Sequence, residues 1–234
     1  MVVKRLLCFI ACVTLIAFPF VGEAAIVNGN FETGDFSGWT VGGNNGVVSL
    51  ANLALDQNDP EAGSLEVTPL QGQYMGALNY KEPHSKEAPC LQGFVYDNFI
   101  YQDVLLGEQD NILVLNYFFW TYDEAPFDTP GFAVSINGMA VFSLSAGDIG
   151  DGVLGTLDFT SWTTLAIDVS EYYSGDPDRP ATIRIAFNAG NTGDNEYASG
   201  VFLDDVQLVV PIPSTLLLFG SGLLGLIGWR RRLS

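Results

Sequence analysis

Short apolar runs broken by Gly, Asn and Asp recur through the middle of the chain, and that spacing predicts strands joined by turns. Runs at 47–55, 64–69 and 71–78 are candidate short strands, with the polar loop 56–61 between the first two. Residues 79–92 are polar and contain Pro, His84 and Cys90; they read as a long loop, a place where binding is often carried. From Phe99 the pattern is firmer. A strand is expected over 99–106 and a turn over 107–111. The run 112–122 (Ile-Leu-Val-Leu-Asn-Tyr-Phe-Phe-Trp-Thr-Tyr) is the most apolar outside the two ends, so it is the expected central strand. Runs at 132–136 and 139–144 flank Asn137-Gly138, which predicts a hairpin with a type I′ turn. Further strands are expected at 162–169, 181–189 and 200–210, with one helical turn at 170–174. No segment between the ends has a convincing amphipathic helical period, so the expected class is an all-β antiparallel sandwich.

The two ends follow other rules. Lys4 and Arg5 precede an apolar run over 6–21 and the small residues Gly22 and Ala24, the layout of a secretory signal helix cut after Ala24. At the other end Pro211, Pro213 and Ser214 stop the sandwich, because proline cannot donate to a strand ladder. An uncharged segment over 215–229 follows, then Arg230, Arg231 and Arg232. That segment is short for a transmembrane helix, which needs roughly 20 residues, but snorkelling arginines and local thinning of the bilayer make up the difference. The Arg cluster then lies on the cytoplasmic side, which leaves the rest outside. The expected organisation is a signal peptide over 1–24, one domain over 25–210 and a membrane-spanning tail over 211–234. About 185 residues between the ends suffice for one all-β domain with a full core.

Charge narrows the partners. The chain has 27 Asp and Glu against 9 Lys and Arg, for a net charge of −18. Most of the basic residues lie in the two ends; the domain keeps Lys81, Lys86, Arg179 and Arg184. Such a surface repels nucleic acid and anionic membranes and favours neutral ligands, cations or basic partners, while also keeping an exported protein soluble. Cys8 and Cys12 fall in the signal, so Cys90 alone remains and no internal disulfide is expected.

Enzyme chemistry finds little support. His84 is the one histidine, so no His-based metal centre can be built, and no nucleophile-elbow motif is present. Asp103, Asp123 and Glu124 are carboxylates of the kind a glycosidase needs, but no spacing singles out a pair. The catalytic expectation is none.

Two constellations remain. Alternation along 200–210 puts Phe202, Asp204, Val206 and Leu208 on one face, so Asp204 aims a carboxylate at an apolar environment and needs a partner. Calcium, completed by Glu32, Asn28 and carbonyls near Gly29, is one partner; backbone hydrogen bonds at a sheet edge are the other. The second constellation is aromatic. Trp120, Tyr122 and Tyr101 are candidate platforms for the C–H face of a sugar, with Tyr117 and Tyr96 as further candidates. Core packing is the alternative for each ring.

Resemblances sharpen these readings. The stretch Val210-Pro211-Ile212-Pro213-Ser214, the apolar segment with Gly220, Gly222, Gly225 and Gly228, and the terminal arginines resemble the PEP-CTERM sorting signal of Gram-negative bacteria, with Ile212 where that family has Glu. The resemblance implies export, a transient tether in the inner membrane, and cleavage by an exosortase-type protease in cells that make extracellular polysaccharide; a plain anchor is the alternative. The opening Asn28-Gly29-Asn30-Phe31-Glu32 followed by Trp39, together with the closing Phe202-Leu203-Asp204-Asp205-Val206, resembles jelly-roll carbohydrate-binding modules, in which the Glu often helps hold a structural calcium. The expected function is a non-catalytic secreted protein, sorted to the cell surface or extracellular polysaccharide matrix and binding carbohydrate. A structural matrix protein that binds no sugar, and a polysaccharide-processing enzyme, are the alternatives.

Overall fold

A computed structural model describes residues 26–80, 98–107, 112–125, 131–150, 153–173, 181–190, 197 and 199–209. The signal peptide, the tail from 210, and His84, Cys90 and Tyr96 lie outside these residues. Among the described residues no helix is long and apolar enough to cross a membrane.

Period-two patterning gives thirteen strands among the described residues: β1 (Thr40–Gly42), β2 (Asn45–Val48), β3 (Ala51–Ala54), β4 (Ser64–Val67), β5 (Met75–Leu78), β6 (Asn98–Leu105), β7 (Ile112–Thr121), β8 (Phe132–Ile136), β9 (Met139–Leu144), β10 (Asp158–Phe159), β11 (Thr163–Asp168), β12 (Thr182–Ala189) and β13 (Ser199–Val209). A short α1 (Ala146–Ile149) and a 3-10 turn (Ser170–Tyr172) interrupt them. Sheet A has the order β1-β6-β12-β8-β9, and sheet B the order β10-β7-β13-β5-β2 with β11 also on β7. Every pairing is antiparallel. The chain passes between the sheets at most steps from β5 onward, as a sandwich requires. The Asn137-Gly138 hairpin has φ of 52° and 81° at its two turn residues, which is the predicted type I′ turn.

The sheets enclose one core. Ile100 and Val104 from β6, Leu113, Leu115, Tyr117 and Phe119 from β7, Phe132, Val134 and Ile136 from β8, and Ile183, Ile185 and Phe187 from β12 are all buried in it. Phe31 and Trp39 close one end, their rings stacked with centroids 6.0 Å apart. Phe31 holds φ of 56°, unusual for a bulky side chain. Its ring packs 2.8 Å from where a Cβ on Gly76 would lie.

Sheet B is buried on its other face too. The β3–β4 hairpin lies over it and forms a second core from Ala51, Leu53, Val67, Met75, Ala77, Tyr80, Phe118, Trp120, Tyr122 and Phe202. This explains the unbroken apolar run of β7: alternate residues face opposite sides, and both sides are dry. Polar tips tie the hairpin down. Tyr122 Oη donates to the Ala54 carbonyl (2.7 Å), Asn52 N–H donates to Tyr80 Oη (2.9 Å), and Trp162 Nε1 donates to the Thr68 carbonyl (3.1 Å).

One expectation of alternation is corrected. Phe202 and Asp204 share a face, but Val206 and Leu208 do not join them. The register shifts between Asp204 and Gln207, with Asp205 at φ of 51°. This bulge inserts an extra residue and returns Val206 and Leu208 to the main core.

Candidate functional site

The outer face of sheet A carries the most developed surface chemistry among the described residues. On β6, positions 99, 101, 103 and 105 face away from the core by alternation. On β12, positions 182, 184, 186 and 188 do the same. Register sets Arg184 opposite Asp103, and Ala186 opposite Tyr101. The guanidinium binds Asp103 bidentately, Nε to Oδ1 at 2.7 Å and Nη2 to Oδ2 at 2.9 Å. Its carbon lies 4.0 Å from the centre of the Tyr101 ring. Tyr101 in turn stacks on Phe99, with centroids 6.1 Å apart and 22° between planes. The small Ala186 opposite Tyr101 leaves room for this row. The free edge of Phe99 fills the place a side chain on Gly42 would occupy.

The result is a line of flat groups: Phe99, Tyr101, Arg184, Asp103. At its end the β8–β9 turn folds over β12. Asn137 N–H donates to the Arg184 carbonyl and Arg184 N–H donates to Asn137 Oδ1, both at 2.9 Å. Asp103, Asn137, Gly138, Thr182 and Arg184 line an open depression of about 480 Å³, the size of a small-ligand site.

Electrostatics fixes what this row can do. The hydrogen bonds from Arg184 hold the Asp103 carboxyl below its ordinary value, and those to Asp103 raise Arg184. Asp103 therefore stays ionised and is an acceptor, not a general acid. Both side chains are about half exposed, so solvent screening leaves the pair little weight in stability. It serves to orient donors and acceptors. A guanidinium has five N–H groups, and the unused ones remain for a ligand. Arg184 is the one Lys or Arg among the described residues, and Asp103 neutralises it.

Of the expected platforms, Tyr101 is the one this face presents, half-buried in the row. Trp120 and Tyr122 are 0% and 2% exposed and belong to the second core. The placement is corrected for a physical reason: the β3–β4 hairpin covers the face of sheet B on which they stand, so neither ring has a free side. Tyr117 is also buried, between Phe132 and Phe142.

The carboxylates expected around calcium do not share a centre. Asp204 is fully buried. Its Oδ2 accepts Gln71 N–H (2.9 Å) and its Oδ1 accepts Asp205 N–H (2.7 Å), with the Leu70 amide as a third donor. Glu32 is exposed, and its Oε1 accepts Gln73 and Tyr74 N–H at 2.8 and 2.9 Å. Asn28 is turned into its own loop, donating to the Asp35 carbonyl and accepting Thr33 N–H. Both carboxylates thus clasp the segment 70–74 through N–H groups. Calcium takes six to eight oxygen ligands, whereas this cradle offers donors, and the residues present do not fit the ion. Among the described residues no group of three or more His, Cys, Asp or Glu is placed to hold a metal.

Sequence reasoning missed Phe99 and Arg184. A signal for both was present: Phe99-x-Tyr101-x-Asp103 share parity, and Arg184 is a rare cation inside a strand pattern.

Comparison with known proteins gives three findings. No curated protein matches the chain. Among solved structures, the chain is similar to a carbohydrate-binding module specific for non-crystalline cellulose, CBM28, at 16% identity and a TM-score of 0.37, covering 81% of this chain and 97% of that one. It is also similar to the enzymatically active domain of tailspike protein 4 of bacteriophage CBA120, at 16% identity and a TM-score of 0.34. That overlap covers 79% of this chain but only 21% of the tailspike chain, so the chain spans about a fifth of it. The family comparison concerns the C-terminal end, where the Pro-x-Pro motif, the apolar segment and the arginines lie: residues 209–232 are a PEP-CTERM protein-sorting motif.

Proposed function

We propose that this is a non-catalytic exported protein whose sandwich, read as a jelly roll, binds a neutral polysaccharide across the outer face of sheet A. The observation that carries the reading is the row Phe99, Tyr101, Arg184 and Asp103 beside its open depression. Tyr101 is stacked between Phe99 and the Arg184 guanidinium, so the row offers a pyranose apolar ring edges rather than an open face. The oriented guanidinium and carboxylate offer donors and acceptors to neighbouring hydroxyls. The acidic surface disfavours polyanions. The sorting motif supports the rest of the proposed path: a transient tether in the inner membrane, cleavage by an exosortase-type protease, and release to the cell surface or polysaccharide matrix.

An open site buries little ligand, so the expected Kd is on the order of 10 to 1000 micromolar, about −4 to −7 kcal/mol. Binding should survive moderate salt, because stacking does not depend on ion release. The test is calorimetry with soluble neutral polysaccharides. Arg184→Ala should weaken binding at least tenfold while shifting the melting temperature little, since the pair it breaks is exposed. Absence of binding heat for the wild type across the set would overturn the proposal and leave a structural matrix role.

A further inference from the structure

The β3–β4 hairpin covers the outer face of sheet B around Phe118, Trp120 and Phe202 and leaves the β10–β11 margin open. There Phe159 is 44% exposed. Its ring lies nearly parallel to that of buried Phe118, centroids 5.5 Å apart and planes 10° from parallel. One face of Phe159 is therefore spent on Phe118 and the other is turned away from it. Trp162 meets the same Phe118 edge-on, at 6.0 Å and 64°, and its indole N–H is already held by the Thr68 carbonyl. The backbone is fixed as well: Phe159 sits opposite Trp120 in the ladder, and Thr160 N–H donates to the Phe119 carbonyl (2.9 Å). Exposed Ser161 adds a polar rim. A rigid ring with one open face, beside an anchored indole and with no described cation nearby, suits a neutral sugar ring and loses little entropy on binding it.

We propose that Phe159 and Trp162 form a second sugar-stacking site, so that each molecule joins two polysaccharide strands. The inference rests on the polysaccharide reading above and adds valency to it. The Arg184 row lies on the outer face of sheet A, and Phe159 lies on the outer face of sheet B. The two faces point in opposite directions, so a strand lying along one cannot also lie on the other without rounding the sandwich. Two sites with this geometry cross-link; they do not reinforce each other on one strand.

The experiment uses the protein as exported by its host, mixed with hydroxyethyl cellulose, galactomannan or dextran. Calorimetry counts the sites, and light scattering follows network growth. The wild type should show two sites per chain, with scattering that rises to a maximum at intermediate protein-to-polymer ratio and falls in excess protein. Phe159→Ala should reduce the count to one and abolish the maximum. Phe159→Tyr, which keeps the ring, should retain both. Phe159→Thr repeats the loss with a strand-favouring residue should the alanine variant fold poorly. One site per chain with no maximum for the wild type, or an undiminished maximum for Phe159→Ala, overturns the second site while leaving the first intact. So does a polymer-free dimer that Phe159→Ala dissociates, since a second copy would then be the occupant. Binding to none of the three polymers fails the polysaccharide reading itself, and this inference with it.

Discussion

Replacing Trp120 by Ala separates core from binding surface most sharply. The side chain is fully buried and touches Tyr80, Tyr122 and Phe202, with ring centroids 6.5, 5.8 and 6.4 Å away. Beneath it, Gly200 has no side chain, and its Cβ position is taken by the indole. Nothing on that side can move in to fill the void. Truncations of this kind cost about 3–5 kcal/mol, and lack of collapse argues for the upper half. A domain this size has a total stability of about 5–15 kcal/mol, so the variant should retain its fold with much of the margin gone. At about 2–4 °C per kcal/mol, the melting temperature should fall by roughly 10 °C or more. Thermal unfolding followed by near-ultraviolet circular dichroism measures this. Polysaccharide affinity of the folded fraction should be unchanged within twofold. A fall of less than about 2 °C accompanied by loss of binding would refute the burial argument and restore Trp120 as a platform.

Three further outcomes are expected. Chelation of divalent cations should leave the melting temperature unchanged, because the carboxylates of Glu32 and Asp204 are occupied by backbone N–H groups; a clear drop reversed by calcium would show that an ion is held there. Burial raises the Asp204 carboxyl above its ordinary 3.8, against the pull of the Gln71, Asp205 and Leu70 amides, so its stabilising contribution is present below that value and is lost as pH rises through the raised one. Asp35, Asp103, Asp148 and Asp168 are lowered by hydrogen bonds and act oppositely, losing theirs as pH falls; melting curves of Asp204→Asn against wild type should therefore diverge between neutrality and the ordinary carboxylate range, with the wild type gaining on acidification, and parallel curves would sink the argument. Gly76→Ala should cost about 1–3 kcal/mol by overpacking, since the new methyl meets the Phe31 ring, and a neutral result in urea titration would mean that Phe31 can yield.

Strands with a period long enough to count were legible: β6, β7, the β8–β9 hairpin, β11, β12 and β13 fall within a residue or two of the expected spans. Layering was not. An apolar run such as 112–122 is the same whether one face is dry or both, and only the β3–β4 hairpin decides between them. That cover moved Trp120 and Tyr122 from a surface platform to a second core. The bulge at Asp205 was invisible for a related reason: period-two reasoning assumes an unbroken ladder, and one non-glycine residue at positive φ ends it. The Arg184–Tyr101–Asp103 row depends on cross-strand register, which one sequence does not state, although the Asn-Gly turn that helps set it was readable.

The position of β13 bears on the order of events during export. It is the middle strand of sheet B, hydrogen-bonded to β7 on one side and β5 on the other, and it ends at Val209, where the sorting motif begins. A polypeptide threaded outward from its N-terminus would deliver β5 and β7 long before the strand that joins them. Until residues 199–209 emerge, both would be open edges, and the main core would lack Val201, Leu203 and Val206. The sorting motif follows β13 in the chain, so the missing strand would be the last piece of the sandwich to emerge before it. Processing that trespassed upstream of Val209 would remove the seam of the sheet rather than a dispensable end, so any cut would have little latitude on that side.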